Sequence, residues 1–88
     1  MIDSGRHARV LEAAAALRTL GELVTPDLRI NGKGAAMMIG VSQKTLRNWR
    51  SIGEGPRWWT AGVVWYRLDD VVAWLEAKER SSGFDAAA

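Results

Sequence analysis

Residues 30–56 read INGKGAAMMIGVSQKTLRNWRSIGEGP, and this stretch decides the fold. Asn31 is a good N-cap, because its short amide side chain can accept a bond from an unsatisfied N–H of a first helical turn. It predicts a short helix over 32–39, with Ile30 and Ala35 at the positions of a hydrophobic staple. Gly40 ends that helix, Val41 and Ser42 form the connection, and Ser42 caps a second helix over 43–52. The staple recurs there as Val41 against Leu46. Gly53-Glu54-Gly55-Pro56 is a stop signal. Two short helices joined by a three-residue turn make a helix-turn-helix. Ala36 is small where the helices must approach, and Gly40 supplies a turn conformation that side chains resist. Leu46, Trp49, Thr45 and Ile52 are expected on the inward side. The spacing alone is moderately specific, and an ordinary corner between two helices is its alternative.

Upstream, Val10, Ala13, Leu17, Leu20 and Val24 recur at three- and four-residue steps, predicting a helix over 4–24 with Arg9, Glu12, Arg18 and Glu22 left for solvent. Gly21 and Pro26 limit it to an end between residues 20 and 24. Downstream, Trp, Val and Tyr around Ala61-Gly62 predict a hairpin pairing 57–60 with 63–67. Strand alternation sends Val64 and Tyr66 to one face and Val63, Trp65 and Arg67 to the other. Of the adjacent Trp58 and Trp59, one is expected to pack inward. Asp69 then caps a last helix over 70–80, with Val71, Trp74, Leu75 and the Lys78 stem facing the core. The expected architecture is therefore mainly α with a small β-hairpin. It comprises a winged helix-turn-helix over 29–80, an extra N-terminal helix and linker over 1–28 packing on its core, and a flexible tail over 81–88.

Charge is concentrated in the middle of the chain. Residues 29–67 hold seven bases (Arg29, Lys33, Lys44, Arg47, Arg50, Arg57, Arg67) against Glu54 alone, or +6, within a chain of net +2. Residues 1–28 sum to −1 and residues 68–88 to −3. Such asymmetry suggests a polyanion on one face, although a solvated basic surface has the same composition. At about 100° per residue, Gln43, Lys44, Arg47, Arg50 and Ser51 fall on the outer side of the second helix, with Asn48 at its flank and no acid among them. A helix kept soluble for its own sake usually mixes signs. This one suits a major groove, where Gln43 pairs with adenine and Arg47 with guanine. Lys33, Lys44, Arg50, Ser51, Arg57 and Arg67 suit phosphates. Five of these cations predict a log affinity–log salt slope of about −4 to −5.

Other functions find little support. With 88 residues and no cysteine there is room for one small domain, without disulfides or a Cys-ligated zinc. His7 is the only histidine, which excludes a catalytic His or a multi-His metal site. No run is long enough to span a membrane, and the N-terminus mixes Asp3, Arg6, His7 and Arg9 without a signal-peptide stretch. A cytoplasmic location follows as the expectation. Gly32-Lys33-Gly34 is a poor phosphate loop, since Asp27 stands where its first Gly belongs and Gly34 replaces the Ser or Thr. Asp69-Asp70 is the only acidic pair, and adjacent helix positions do not face one another. No catalysis, metal, cofactor or small-molecule substrate is expected.

The run Ile30-Asn31, Ala35-Ala36, Ile39-Gly40-Val41-Ser42, Thr45-Leu46-Arg47, Trp49, Gly53, Gly55-Pro56, Gly62, Tyr66-Arg67, Asp70-Val71 and Trp74-Leu75 resembles the winged helix-turn-helix of phage excisionases (Xis) and AlpA-type regulators, relatives of the MerR DNA-binding domain. It looks most like the excisionases of actinobacterial phages, over residues 29–78. The resemblance implies that the helix bearing Gln43, Lys44 and Arg47 enters the major groove while the wing at Gly62 touches the minor groove. It also implies binding to tandem sites beside a phage attachment site, self-association on DNA, bending, and partnership with a tyrosine integrase. The wing turn is about one residue shorter than the family's, and its tip, Ala61-Gly62-Val63, lacks the customary Lys or Arg. A promoter-binding regulator remains an alternative, as does a protein-recruiting module resembling a terminase small subunit.

Overall fold

The computed structural model, described over residues 4–81, runs α1 (Ser4–Thr19), β1 (Arg29–Asn31), α2 (Gly32–Ile39), α3 (Gln43–Ile52), β2 (Trp59–Ala61), β3 (Val63–Arg67) and α4 (Leu68–Ser81). Among the described residues this is a mostly helical domain of four helices with one antiparallel sheet in the order β1-β3-β2. Apart from Ser81, the tail expected over 81–88 lies outside them.

Both local caps form as their chemistry predicts. Asn31 is extended and its Oδ1 accepts from the Gly34 N–H at 2.9 Å. Ser42 Oγ accepts from the Thr45 N–H at 3.0 Å. Gly40 takes the left-handed conformation (φ 89°) between α2 and α3, and its N–H donates to the Ala36 carbonyl at 2.8 Å. The arrangement is compatible with a helix-turn-helix followed by a wing.

Three boundaries differ from expectation. First, α1 stops at Thr19, just before the range of 20–24 in which Gly21 and Pro26 place its end. Gly21 adopts φ 84°, and the N–H groups of Gly21 and Glu22 fold back onto the carbonyls of Arg18 and Leu17 at 2.9 Å each. This Schellman closure satisfies the last carbonyls and reverses the chain. Leu20 is consequently 63% exposed, not inward, whereas Val24 is buried through an isolated bridge to Ile30. Second, the hairpin is shifted: Trp59 pairs with Trp65, Thr60 with Val64 and Ala61 with Val63, so Gly62 alone forms the tip and Arg57 precedes the sheet. A third strand, β1, pairs Arg29 with Arg67, Ile30 with Tyr66 and Asn31 with Trp65. Third, α4 begins at Leu68, so Asp69 lies in its first turn instead of capping it. The Leu68 N–H donates to the Leu28 carbonyl at 2.9 Å, which replaces a side-chain cap, and Asp69 and Asp70 then favour the positive end of the helix. Leu28 reaches this position with φ 65°, a conformation rare outside glycine.

The core lies between the helices and the inner face of the sheet. Val10, Ala14 and Leu17 of α1 meet Leu68, Val71 and Val72 of α4, joined by Ile30, Ala35, Ala36, Leu46 and Tyr66. Each fully buried large side chain here contributes about 1.5–3 kcal/mol. Glu76 ties the α1–α4 rim, accepting from Arg6 Nε at 3.0 Å and Arg9 Nη1 at 2.7 Å. Trp74 and Leu75 are half-buried, and the Lys78 Nζ lies 5.5 Å from the Trp74 ring centroid. Ile52, expected inside, is 69% exposed because α3 ends there and turns away at Gly53. Trp58 is 38% exposed and Trp59 half-buried, so neither enters the core.

Gly55 allows the chain to pass Trp49. It has φ 86°, and a Cβ there would lie 3.1 Å from Trp49 Cε3. Gly55→Ala is expected to destabilise the domain by about 1–3 kcal/mol, lowering Tm by at least several degrees in thermal circular dichroism. An unchanged Tm would mean that the loop relaxes out of the left-handed conformation and clear of the indole at no cost.

Candidate nucleic-acid interface

α3 is held from behind by Leu46, which is buried, and by Trp49, whose ring packs at 5.6 Å and 45° against Trp74. With that face fixed, Gln43, Lys44, Arg47, Asn48 and Ser51 are all exposed on the other. The Ser51 hydroxyl donates back to the Arg47 carbonyl at 3.3 Å. Among the described residues, the side chains of Gln43, Lys44, Arg47 and Asn48 have no intramolecular hydrogen bond or ion pair. The result is a row of donors, with acceptors on the two amides, whose partners must come from water or a ligand.

The remaining sequence candidates divide differently. Arg50 is half-buried: its Nη1 donates to the Tyr66 hydroxyl at 3.0 Å and its Cζ lies 5.8 Å from the Trp58 centroid. Its donors are thus partly committed inside the molecule. Lys33 Nζ lies 3.2 Å from Glu22 Oε2, which also takes Glu22 out of the solvent role expected for it. Arg57 is exposed just before β2. Arg67 is exposed on the outer face of the sheet, its Cζ 5.7 Å from the Trp59 centroid. Gly62 is exposed at the hairpin tip. Ala36 and Tyr66 are buried.

Arg29 belongs to the basic segment, and its sequence context alone does not mark it as a site residue. Its Cζ lies 4.6 Å from the Trp65 centroid, and its Nε donates to both Asp27 oxygens at 2.9 and 3.0 Å. Only the alternation Arg29-Ile30-Asn31 hinted at a strand, and three residues are too few to carry that signal. Thr25 completes the turn, its hydroxyl donating to Asp27 Oδ1 at 2.5 Å while accepting from the Arg29 N–H at 2.8 Å.

The Thr25 hydroxyl bond, followed by the Arg29 guanidinium, holds the Asp27 carboxyl below its ordinary 3.8. A carboxyl lowered in the folded state contributes stability that is complete above the unfolded value and is lost as pH falls through the lower native one. Acid titration should therefore show the stability difference between wild type and Asp27→Asn shrinking below about pH 4. A constant difference down to pH 2 would show that the charge on Asp27 is immaterial.

No protein-family model matches the chain, and no curated protein or solved structure is detectably similar to it. Among the described residues, no helix is long and apolar enough to cross a membrane.

Proposed function

We propose that this chain is a winged helix-turn-helix protein that binds double-stranded DNA sequence-specifically, with α3 in the major groove and the β2–β3 hairpin as its wing. The observation that carries this reading is the outer face of α3, where Gln43, Lys44, Arg47 and Asn48 stand exposed, without internal partners, on a helix whose opposite face is packed. Gln43 and Arg47 lie in the first half of the helix, where groove-reading side chains reach base edges. Lys44, Arg57 and Arg67 supply phosphate contacts. The wing tip, Ala61-Gly62-Val63, has no charge, so its flanks carry that role.

Within this class we favour an excisionase, a recombination directionality factor that occupies tandem sites beside a phage attachment site, bends the duplex and assists a tyrosine integrase in prophage excision. That finer assignment rests on the motif spacing over residues 29–78. Bending costs of order 1–6 kcal/mol, to be offset by protein–DNA contacts on neighbouring sites. The protein acts by positioning and deforming DNA, with no catalytic step and no cofactor.

A footprint titration over the attachment region and the neighbouring promoter tests the assignment. Evenly spaced segments filling cooperatively at the attachment site identify an excisionase. One protected promoter site identifies a regulator. Absence of protection on any duplex, with a stable protein complex, identifies a recruiting module.

Arg47→Ala is expected to cost about 1–3 kcal/mol of binding and to relax preference at one base pair, measured by competition against single-substitution sites. Unchanged preference removes Arg47 from base reading. Because Lys33 and Arg50 have partners within the chain, the salt slope from Lys44, Arg57 and Arg67 alone is about −3, shallower than the full set of cations predicts. A flat response would contradict phosphate binding.

A further inference from the structure

We propose that Arg29 and Arg67, seated over Trp65 and Trp59 on the outer face of the sheet, form a two-arginine clamp for a backbone phosphate of bound DNA. This deepens the DNA-binding reading and rests on it.

The clamp follows from strand register. Arg29 and Arg67 are direct partners across β1 and β3, and Trp65 is the partner of both Asn31 and Trp59. Residues two apart on a strand share a face, so Arg29, Arg67, Trp65 and Trp59 all stand on one side of the sheet. Ile30 and Tyr66 fill the other side and are buried.

Two like charges directly opposite one another on a sheet repel. Here they are kept side by side, each over an indole ring, with Asp27 as the carboxylate bonded to Arg29. Asp69 and Asp70, next along the chain, line a recess with Arg6 and His7 instead. The three charges leave a surplus of one positive, which matches one phosphodiester.

The donors are also suitable. Arg29 uses Nε on Asp27, which anchors the side chain, while its two Nη groups have no acceptor among the described residues. The Arg67 guanidinium has none at all among them. A guanidinium over an aromatic ring keeps its in-plane N–H edge available, and that edge fits phosphate oxygens. The indoles add apolar area against a sugar edge. An acidic protein surface would meet the same arginines, but the +6 of residues 29–67 favours a polyanion.

The test uses the full chain with Arg29→Gln, Arg67→Gln and the double variant, by salt titration and phosphate-ethylation interference on a footprinted duplex. With the clamp neutralising one phosphate the wild-type slope stays about −3, and loss of that contact in any of the three variants brings it to about −2. One phosphate whose ethylation weakens the wild type should no longer matter to the variants, while the base preference read by Arg47 persists. Arg67→Gln breaks no internal hydrogen bond, so it reports even if the Arg29 variant unfolds. A wild-type slope and interference pattern in that variant overturns the clamp and leaves the DNA reading standing. Failure of the wild type to bind any duplex at low salt overturns both.

Discussion

Tyr66 is fully buried, and a phenol hydroxyl in that position costs about 1–3 kcal/mol unless it finds a hydrogen-bond partner. Its partner is Arg50, from a different element, at 3.0 Å. The ring belongs to the middle of the sheet, opposite Ile30, while the guanidinium belongs to the last turn of α3. One charge-assisted bond therefore couples the sheet to the helix that presents Gln43, Lys44, Arg47 and Asn48. Leu46 and Trp49 fix the depth of that helix, and Arg50 fixes its rotation relative to the hairpin. The orientation of the exposed polar row follows from these three side chains.

Features determined within a few residues were legible in the sequence. Asn31, Ser42 and Gly40 set the ends of α2 and α3 through contacts no more than four residues away, so their spacing could be read directly. Alternation along Val63–Arg67 likewise separated Tyr66 from Trp65. What escaped is non-local. β1 exists because β3, thirty-odd residues later, supplies its hydrogen bonds. The start of α4 depends on the carbonyl of Leu28 rather than on the neighbouring Asp69. The outer face of α3 follows helical periodicity at Gln43, Lys44, Arg47, Asn48 and Ser51, whereas Arg50 turns inward to a tyrosine sixteen residues away. Helical periodicity assigns a face; it cannot show that a long side chain will bend back to satisfy a buried hydroxyl.

Charge is partitioned along similar lines. Glu76 takes Arg6 and Arg9, Glu22 takes Lys33, and Asp27 takes Arg29. The Arg6, Arg9 and Lys33 ends of these pairs are exposed to water while Glu76 and Glu22 are largely covered, and pairs open to solvent contribute little to stability, with a median near 0–1 kcal/mol each. Their larger effect is on the field: Glu22 and Asp27 offset two bases of the middle segment, Lys33 and Arg29, while Lys44, Arg47, Arg57 and Arg67 keep no carboxylate among the described residues. The positive surplus visible in the sequence therefore survives folding in part, on these four unpaired cations at the surface, where it can act on an approaching polyanion.

The cations are also held with unequal firmness, and this bears on how affinity and specificity would be divided. Arg29 is anchored by Asp27 and an indole, and Arg67 lies over a second indole. Side chains already restrained in this way lose little rotamer freedom when they meet a phosphate. Gln43, Lys44 and Arg47 have no such restraint, and each would give up about 0.5–1.5 kcal/mol on being immobilised. A base pair that completes a bidentate bond compensates this loss, and one that does not leaves it uncompensated. The restrained arginines would thus favour any duplex, while the unrestrained row on α3 would make binding conditional on sequence. Stiffening that row would raise affinity for wrong and right sites together, so discrimination between them comes from the base contacts and not from the freedom of the side chains.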